Sequence, residues 1–125
     1  MNYLTVDDIL VIHLLALEEF GGSAELLSME RFESCVESPC QTMFGEDLYP
    51  DLESKAAILF FLLVKNHPFM DGNKRTAALA LLEFLERNGH TLQVTNEELY
   101  QLTMDVATSA LDKEQVKWWL QERIK

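Results

Sequence analysis

The sequence predicts an all-α domain of five or six helices. Three observations carry that prediction. Apolar residues recur at helical spacing along most of the chain. A Thr, Ser or Asp stands at the start of most of these runs. Two strongly apolar segments flank one polar loop, so they read as a buried helical hairpin. A length of 125 residues suits a single domain, taken as residues 1–125. With 48% hydrophobic and 25% charged residues, the chain can build a core and is not of the disordered class.

Taking the elements in order, Thr5 is a good N-cap, and Asp8 three residues on completes a near capping box. Ile9, Ile12, His13, Ala16 and Phe20 follow at helical spacing, and Gly21-Gly22 stops the run. Ser28 caps a shorter helix through about Val36, closed before Pro39. Cys40 to Asp51 reads as irregular. Asp51 then caps a helix with Ser54 at N3, and the run KAAILFFLLVKN is apolar nearly all round, as a central buried helix should be. Phe60, Phe61, Leu62, Leu63 and Phe84 are read as core. Pro68 ends this helix. A second apolar helix runs from about Lys74 to Asn88, with Gly89 as its natural C′ residue. Thr91 to Val94 suits a short extended piece. Thr95 or Asn96 caps a helix through about Ala110, and Asp112 caps a last one containing Val116, Trp119, Leu120 and Ile124. Trp118 and Trp119 are adjacent and so point to different faces, one of them core.

Charge narrows the partners. The net charge is -11. Residues 1–62 carry 12 acids against 2 bases, whereas residues 63–125 carry 9 against 8. Phosphate neutralisation needs clustered Lys and Arg, so direct nucleic-acid binding is not expected. A basic protein partner suits the acidic half better. Cys35 and Cys40 lack the companions of a zinc site and read as reduced thiols; with no leader pattern visible at the N-terminus, a cytoplasmic protein is expected. The longest apolar run, Ala56 to Val64, is far short of the ~20 residues that span a bilayer, so no membrane association is expected.

The most informative stretch is the loop between the two apolar segments, Asn66-His67-Pro68-Phe69-Met70-Asp71-Gly72-Asn73-Lys74-Arg75-Thr76-Ala77. It concentrates a histidine, a carboxylate, an amide and two cations. The helix beginning near Asn73 or Lys74 aims its free N–H groups into that loop and so forms an anion site before any side chain is counted. Lys74 and Arg75 stand where the helix dipole disfavours cations, a conflict that a bound phosphate would relieve. Asp71 is placed to hold a hard cation such as Mg²⁺ alongside phosphate oxygens. Histidine titrates near neutral pH, which suits His67 to take a proton from an attacking hydroxyl. Together these groups describe phosphoryl or nucleotidyl transfer.

This run resembles the signature of the Fic/Doc (fido) family, HPFx(D/E)GN(G/K)R. Every defined position matches: His67, Pro68, Phe69, Asp71, Gly72, Asn73, Lys74 and Arg75. The phrase LYPDLESKAAILFFLLVKNHPFMDGNKRTAALALLEFLERNG is similar to the death-on-curing (Doc) branch. The resemblance implies a Fic/Doc bundle that uses ATP and Mg²⁺. It casts His67 as general base, Phe69 as the anchor of the loop and Asp71 as the metal carboxylate. Gly72, Asn73, Lys74 and Arg75 would form the nucleotide-phosphate site, Gly72 and Asn73 by shaping the anion nest and Lys74 and Arg75 by contacting the phosphates. A flap around Phe44 to Tyr49 would dock the target segment by strand addition.

Two positions depart from the adenylylating Fic branch. Lys74 stands where that branch has Gly, and Ala78 where it has a second Arg. Both fit the Doc branch, which implies a toxin that passes the ATP γ-phosphate to a hydroxyl of a translation protein of the elongation factor Tu type. Such toxins are restrained by an antitoxin. No internal (S/T)xxxE(G/N) inhibitory helix is present, so restraint in trans is expected. Pro68 and Gly72 are more Fic-like spellings and keep protein adenylylation as the alternative. A non-catalytic helical binding module is a third reading. His13 and His90 read as structural or exposed, and Lys65 and Asn66 as helix termination or pocket lining.

Overall fold

The structure is a computed structural model that describes residues 1–125. Six α-helices follow one another: α1 (Val6–Phe20), α2 (Met29–Glu37), α3 (Leu52–Lys65), α4 (Asn73–Arg87), α5 (Asn96–Ala107) and α6 (Lys113–Gln121). A 3₁₀ turn, Ser38–Cys40, closes α2. The all-α expectation holds, with one small addition. The stretch after Cys40 contains an antiparallel hairpin of β1 (Thr42–Met43) and β2 (Glu46–Asp47).

The caps explain the boundaries. Reciprocal capping boxes start four helices: Thr5 with Asp8, Asp51 with Ser54, Thr95 with Glu98 and Asp112 with Gln115. Ser28 caps α2 by accepting from the Arg31 amide at 3.1 Å. At the end of α4, Gly89 takes φ +80, and the His90 and Gly89 amides bond back to Leu85 and Glu86, a Schellman closure. The same closure ends α5 three residues earlier than periodicity suggests. Ser109 there adopts φ 65, and the Ala110 and Ser109 amides turn back to Asp105 and Val106.

Helix α3 is the centre, packed against α2, α4, α5 and α6. Ala56, Leu59, Phe60 and Leu63 meet Ala77, Leu81 and Phe84 of α4 and Val116 and Leu120 of α6 in one core. Phe61 and Leu62, expected in the core, are only half-buried, because a helix surrounded by neighbours still has a seam. The piece after His90 pairs with the C-terminus, where the Gln93 amide donates to the Arg123 carbonyl at 2.8 Å. Trp119 is half-buried and Trp118 exposed, as adjacent helical positions require. Phe20 continues the helical spacing of α1 without joining the core. It is 64% exposed at the end of α1, and the Arg75 guanidinium lies 4.5 Å from its ring centroid. Cys35 is buried and Cys40 exposed, both as free thiols. No helix is long and apolar enough to cross a membrane.

Candidate active site

The loop joining α3 to α4 is held from four directions. Asn66 closes α3, and at His67 the chain takes φ 49, a left-handed conformation uncommon for a side-chain-bearing residue. The next residues run antiparallel to the α1–α2 connection. The Leu27 amide donates to the Pro68 carbonyl at 2.8 Å, and the Met70 amide to the Glu25 carbonyl at 2.9 Å. Phe69, the expected anchor, is buried. Its ring stacks on His13 at 3.7 Å and meets Phe32 at 5.0 Å.

Asn73 supplies the second restraint. Its side-chain Oδ1 accepts from the Phe69 amide at 3.0 Å, and its Nδ2 donates to the Phe69 carbonyl at 2.8 Å. Both its polar atoms are committed to the loop backbone, so it shapes the site rather than lining it.

Asp71 is gripped by α1 and the turn after it. The Ser23 amide donates to Asp71 Oδ2 at 2.7 Å, and His13 Nε2 donates to the Asp71 carbonyl at 2.8 Å. A carbonyl can only accept, so Nε2 carries the proton. Gly22 permits this approach, since a Cβ there would stand 2.9 Å from that of Asp71. His13, read from sequence as structural or exposed, is 1% exposed and is the loop's chief support from α1. Its spacing with Ile9 and Ala16 marked its inward face, but nothing local marked its partner 58 residues on.

Gly72, at φ 79, begins α4 without any side-chain cap. The first amides of this helix therefore face the loop without a side-chain acceptor, an arrangement suited to an anion, with Lys74 and Arg75 exposed beside them. Arg75 is engaged by α1, donating from Nη2 to Glu19 Oε2 at 3.0 Å. A cavity of about 720 Å³ opens here between the end of α1, the start of α4 and α5. Asp71, Gly72, Lys74, Arg75 and Ala78 all line it, with Tyr100 opposite on α5. His67 is not part of this wall; it is exposed at the other end of the loop, where positive φ turns the chain out of α3. Lys65 bonds the Ser109 hydroxyl, and Asn66, which closes α3, has its Nδ2 3.7 Å from Cys35 Sγ; neither lines the cavity.

No cluster of three or more His, Cys, Asp or Glu side chains is built to hold a metal ion. A single exposed carboxylate, Asp71, with Oδ1 left by the Ser23 bond, suits a cation that completes its shell from ligand phosphates and water, as Mg²⁺ does.

The profile of the Fic/DOC family matches residues 3–85, from before α1 through the motif loop and most of α4. The chain belongs to the Fic/DOC family. Within it, the chain is 40% identical over 88 residues to "Toxin Doc" of Mycolicibacterium smegmatis (strain ATCC 700084 / mc(2)155), covering 70% of this chain and 65% of that relative. It is 29% identical over 112 residues to "Protein kinase doc" of Escherichia phage P1, covering 89% of this chain and 86% of that protein. These Fic/DOC relatives fall in the Doc branch that Lys74 and Ala78 indicate.

Proposed function

We propose that residues 1–125 act as one unit, a Doc-type toxin that transfers the γ-phosphate of ATP to a hydroxyl of a translation protein. The observation that carries this reading is Lys74 beside Ala78 in one cavity wall. Lysine fills and charges the place where bare backbone would admit a phosphate, and alanine removes the second arginine clamp.

In this reading His67 Nε2 or Nδ1 accepts the proton of the target hydroxyl. That oxygen attacks the γ-phosphorus, and the bond to the β–γ bridging oxygen breaks to release ADP. Lys74, Arg75 and the open start of α4 hold the phosphates, an electrostatic role that dominates phosphoryl transfer. Arg75 must be released by Glu19 or shared with it. Asp71 would hold Mg²⁺, which supplies charge neutralisation on the phosphates. The hairpin of β1 and β2 engages the target. Restraint comes in trans from an antitoxin protein.

The test is mass spectrometry of elongation factor Tu after incubation with the protein, ATP and Mg²⁺. Gain of one phosphate is expected, and label should transfer from γ-labelled ATP alone. Gain of a nucleotide monophosphate would replace this reading with adenylylation, which the Pro68 and Gly72 spellings favour. Toxicity that survives His67→Ala would point instead to a non-catalytic binding module.

A further inference from the structure

Lys55 is the most anomalous cation in the protein. It is 2% exposed, and it lies in the first turn of α3, where the helix dipole opposes positive charge. Burying an ammonium is costly unless it is paired and hydrogen-bonded. A methionine would fill the same volume without that cost. The difference lies in what the ammonium holds. Lys55 Nζ donates to the Pro39 carbonyl at 3.0 Å and to Asp47 Oδ2 at 3.4 Å, with the Tyr3 ring face 5.5 Å away.

These two acceptors bracket the hairpin. Pro39 belongs to the turn that leads into β1, and Asp47 is the last residue of β2. The strands pair only Thr42 with Asp47 and Met43 with Glu46, and the Leu48 amide adds one bond to the Gln41 carbonyl at 2.9 Å. So short a two-stranded unit is marginal on its own. Its orientation depends on its base, and the base is fastened by Lys55.

The tip is built for contact rather than for stability. Phe44 and Gly45 both have positive φ, 52 and 82, the backbone of a type I′ turn. Asn or Gly is the ordinary occupant of the first position. A phenylalanine there is strained, and its side chain is 99% exposed beside exposed Met43 and Leu48.

We infer that Lys55 is a positioning residue for target recognition. It fixes the two ends of the hairpin so that the Phe44 tip and the free strand edge are presented in one orientation to an extended protein segment carrying an apolar side chain. This inference rests on the protein phosphotransfer reading above.

The test compares the wild type with Lys55→Met, which keeps the volume and removes the donors, and with Asp47→Asn as a surface variant that leaves the core untouched. Hydrogen–deuterium exchange reads the anchoring without any activity. The Leu48 amide should exchange about tenfold faster in Lys55→Met, while the amides of α4 and α5 are unchanged, as expected for loss of hydrogen bonds to a charged group. In the transfer assay with elongation factor Tu, KM for the protein should rise about tenfold, with kcat and KM for ATP within about twofold. Asp47→Asn should move the same two readouts by less. Unchanged exchange at Leu48 overturns the anchoring. Faster exchange with unchanged protein KM overturns the role in recognition, as does a loss confined to kcat. A wild type that transfers no phosphate to the target refutes the phosphotransfer reading, whereas the exchange result still reports on the anchor.

Discussion

His13 and Asp71 meet at 2.8 Å, imidazole Nε2 to backbone carbonyl, while the same ring stacks on Phe69 two residues before that carbonyl. One side chain of α1 thus fixes both the apolar anchor and the carboxylate-bearing residue of the motif loop. His13→Ala should cost about 2–4 kcal/mol, from the lost stack and an orphaned carbonyl. His13→Phe keeps the stack and should cost about 1–2 kcal/mol. Urea unfolding of the two variants orders them, and transfer activity should fall in both although His67 is untouched.

His67 is held in a left-handed conformation and is exposed. Glycine accepts that conformation without strain, so the structure predicts an unusual pairing of effects. His67→Gly should abolish phosphate transfer and leave stability equal or higher by up to about 1 kcal/mol. Calorimetric melting alongside the transfer assay checks both halves. A melting temperature lowered by several degrees would contradict the assignment of strain to this position.

Gly22 is as demanding as any motif residue. Its φ of +113 and the 2.9 Å approach to the Asp71 Cβ leave no room for a methyl group. Gly22→Ala should therefore lose about 1–3 kcal/mol and displace the Asp71 carboxylate. The second effect is separable. Saturation with Mg²⁺ should require a higher concentration in Gly22→Ala, whereas Gly21→Ala, where a Cβ meets nothing within 4 Å, should change stability only through its positive φ.

Asp8 ties the start of α1 to the end of α4. Arg87 donates to it through Nη1 at 2.8 Å and Nη2 at 3.2 Å, and the Thr5 amide adds a third bond. These bonds to Arg87 and Thr5 hold its carboxyl down at about 2, below the ordinary value of 3.8. A depressed carboxylate stabilises the fold above the unfolded value and loses that contribution as pH falls through the folded one. The loss therefore spans roughly pH 4 to 2. Partial exposure of the pair limits it to about 1 kcal/mol. Acid titration of unfolding free energy should show this step in the wild type and lack it in Asp8→Asn.

Much of this was legible in the sequence because it is local. Thr5 and Asp8, Asp51 and Ser54, and Gly89 announce helix ends by chemistry that acts over three or four residues. The motif residues Asp71, Gly72, Lys74 and Arg75 were legible as a cluster, and the structure brings them to one cavity. What sequence could not show depends on distant contacts. Nothing near His13 announces its partner at Asp71. Nothing near Lys55 explains a lysine inside an apolar helix until Pro39 and Asp47 arrive beside it. The resemblance placed Asn73 in the anion nest, but nothing local showed that its amide is consumed by the Phe69 backbone. The hairpin was illegible because its turn places phenylalanine where Asn or Gly would have signalled it.

Five of the six α-helices begin with a side chain that satisfies their first amides, and α4 alone does not. The omission makes folding and ligand occupancy one equilibrium. A phosphate-bearing ligand at the start of α4 supplies the missing acceptors, and at a hundredfold over its Kd it adds about 2.7 kcal/mol to the unfolding free energy of the whole bundle. If that ligand is the nucleotide proposed above, the chain deprived of it is the form most exposed to proteolysis, and ligand supply would set the protein's lifetime as well as its rate.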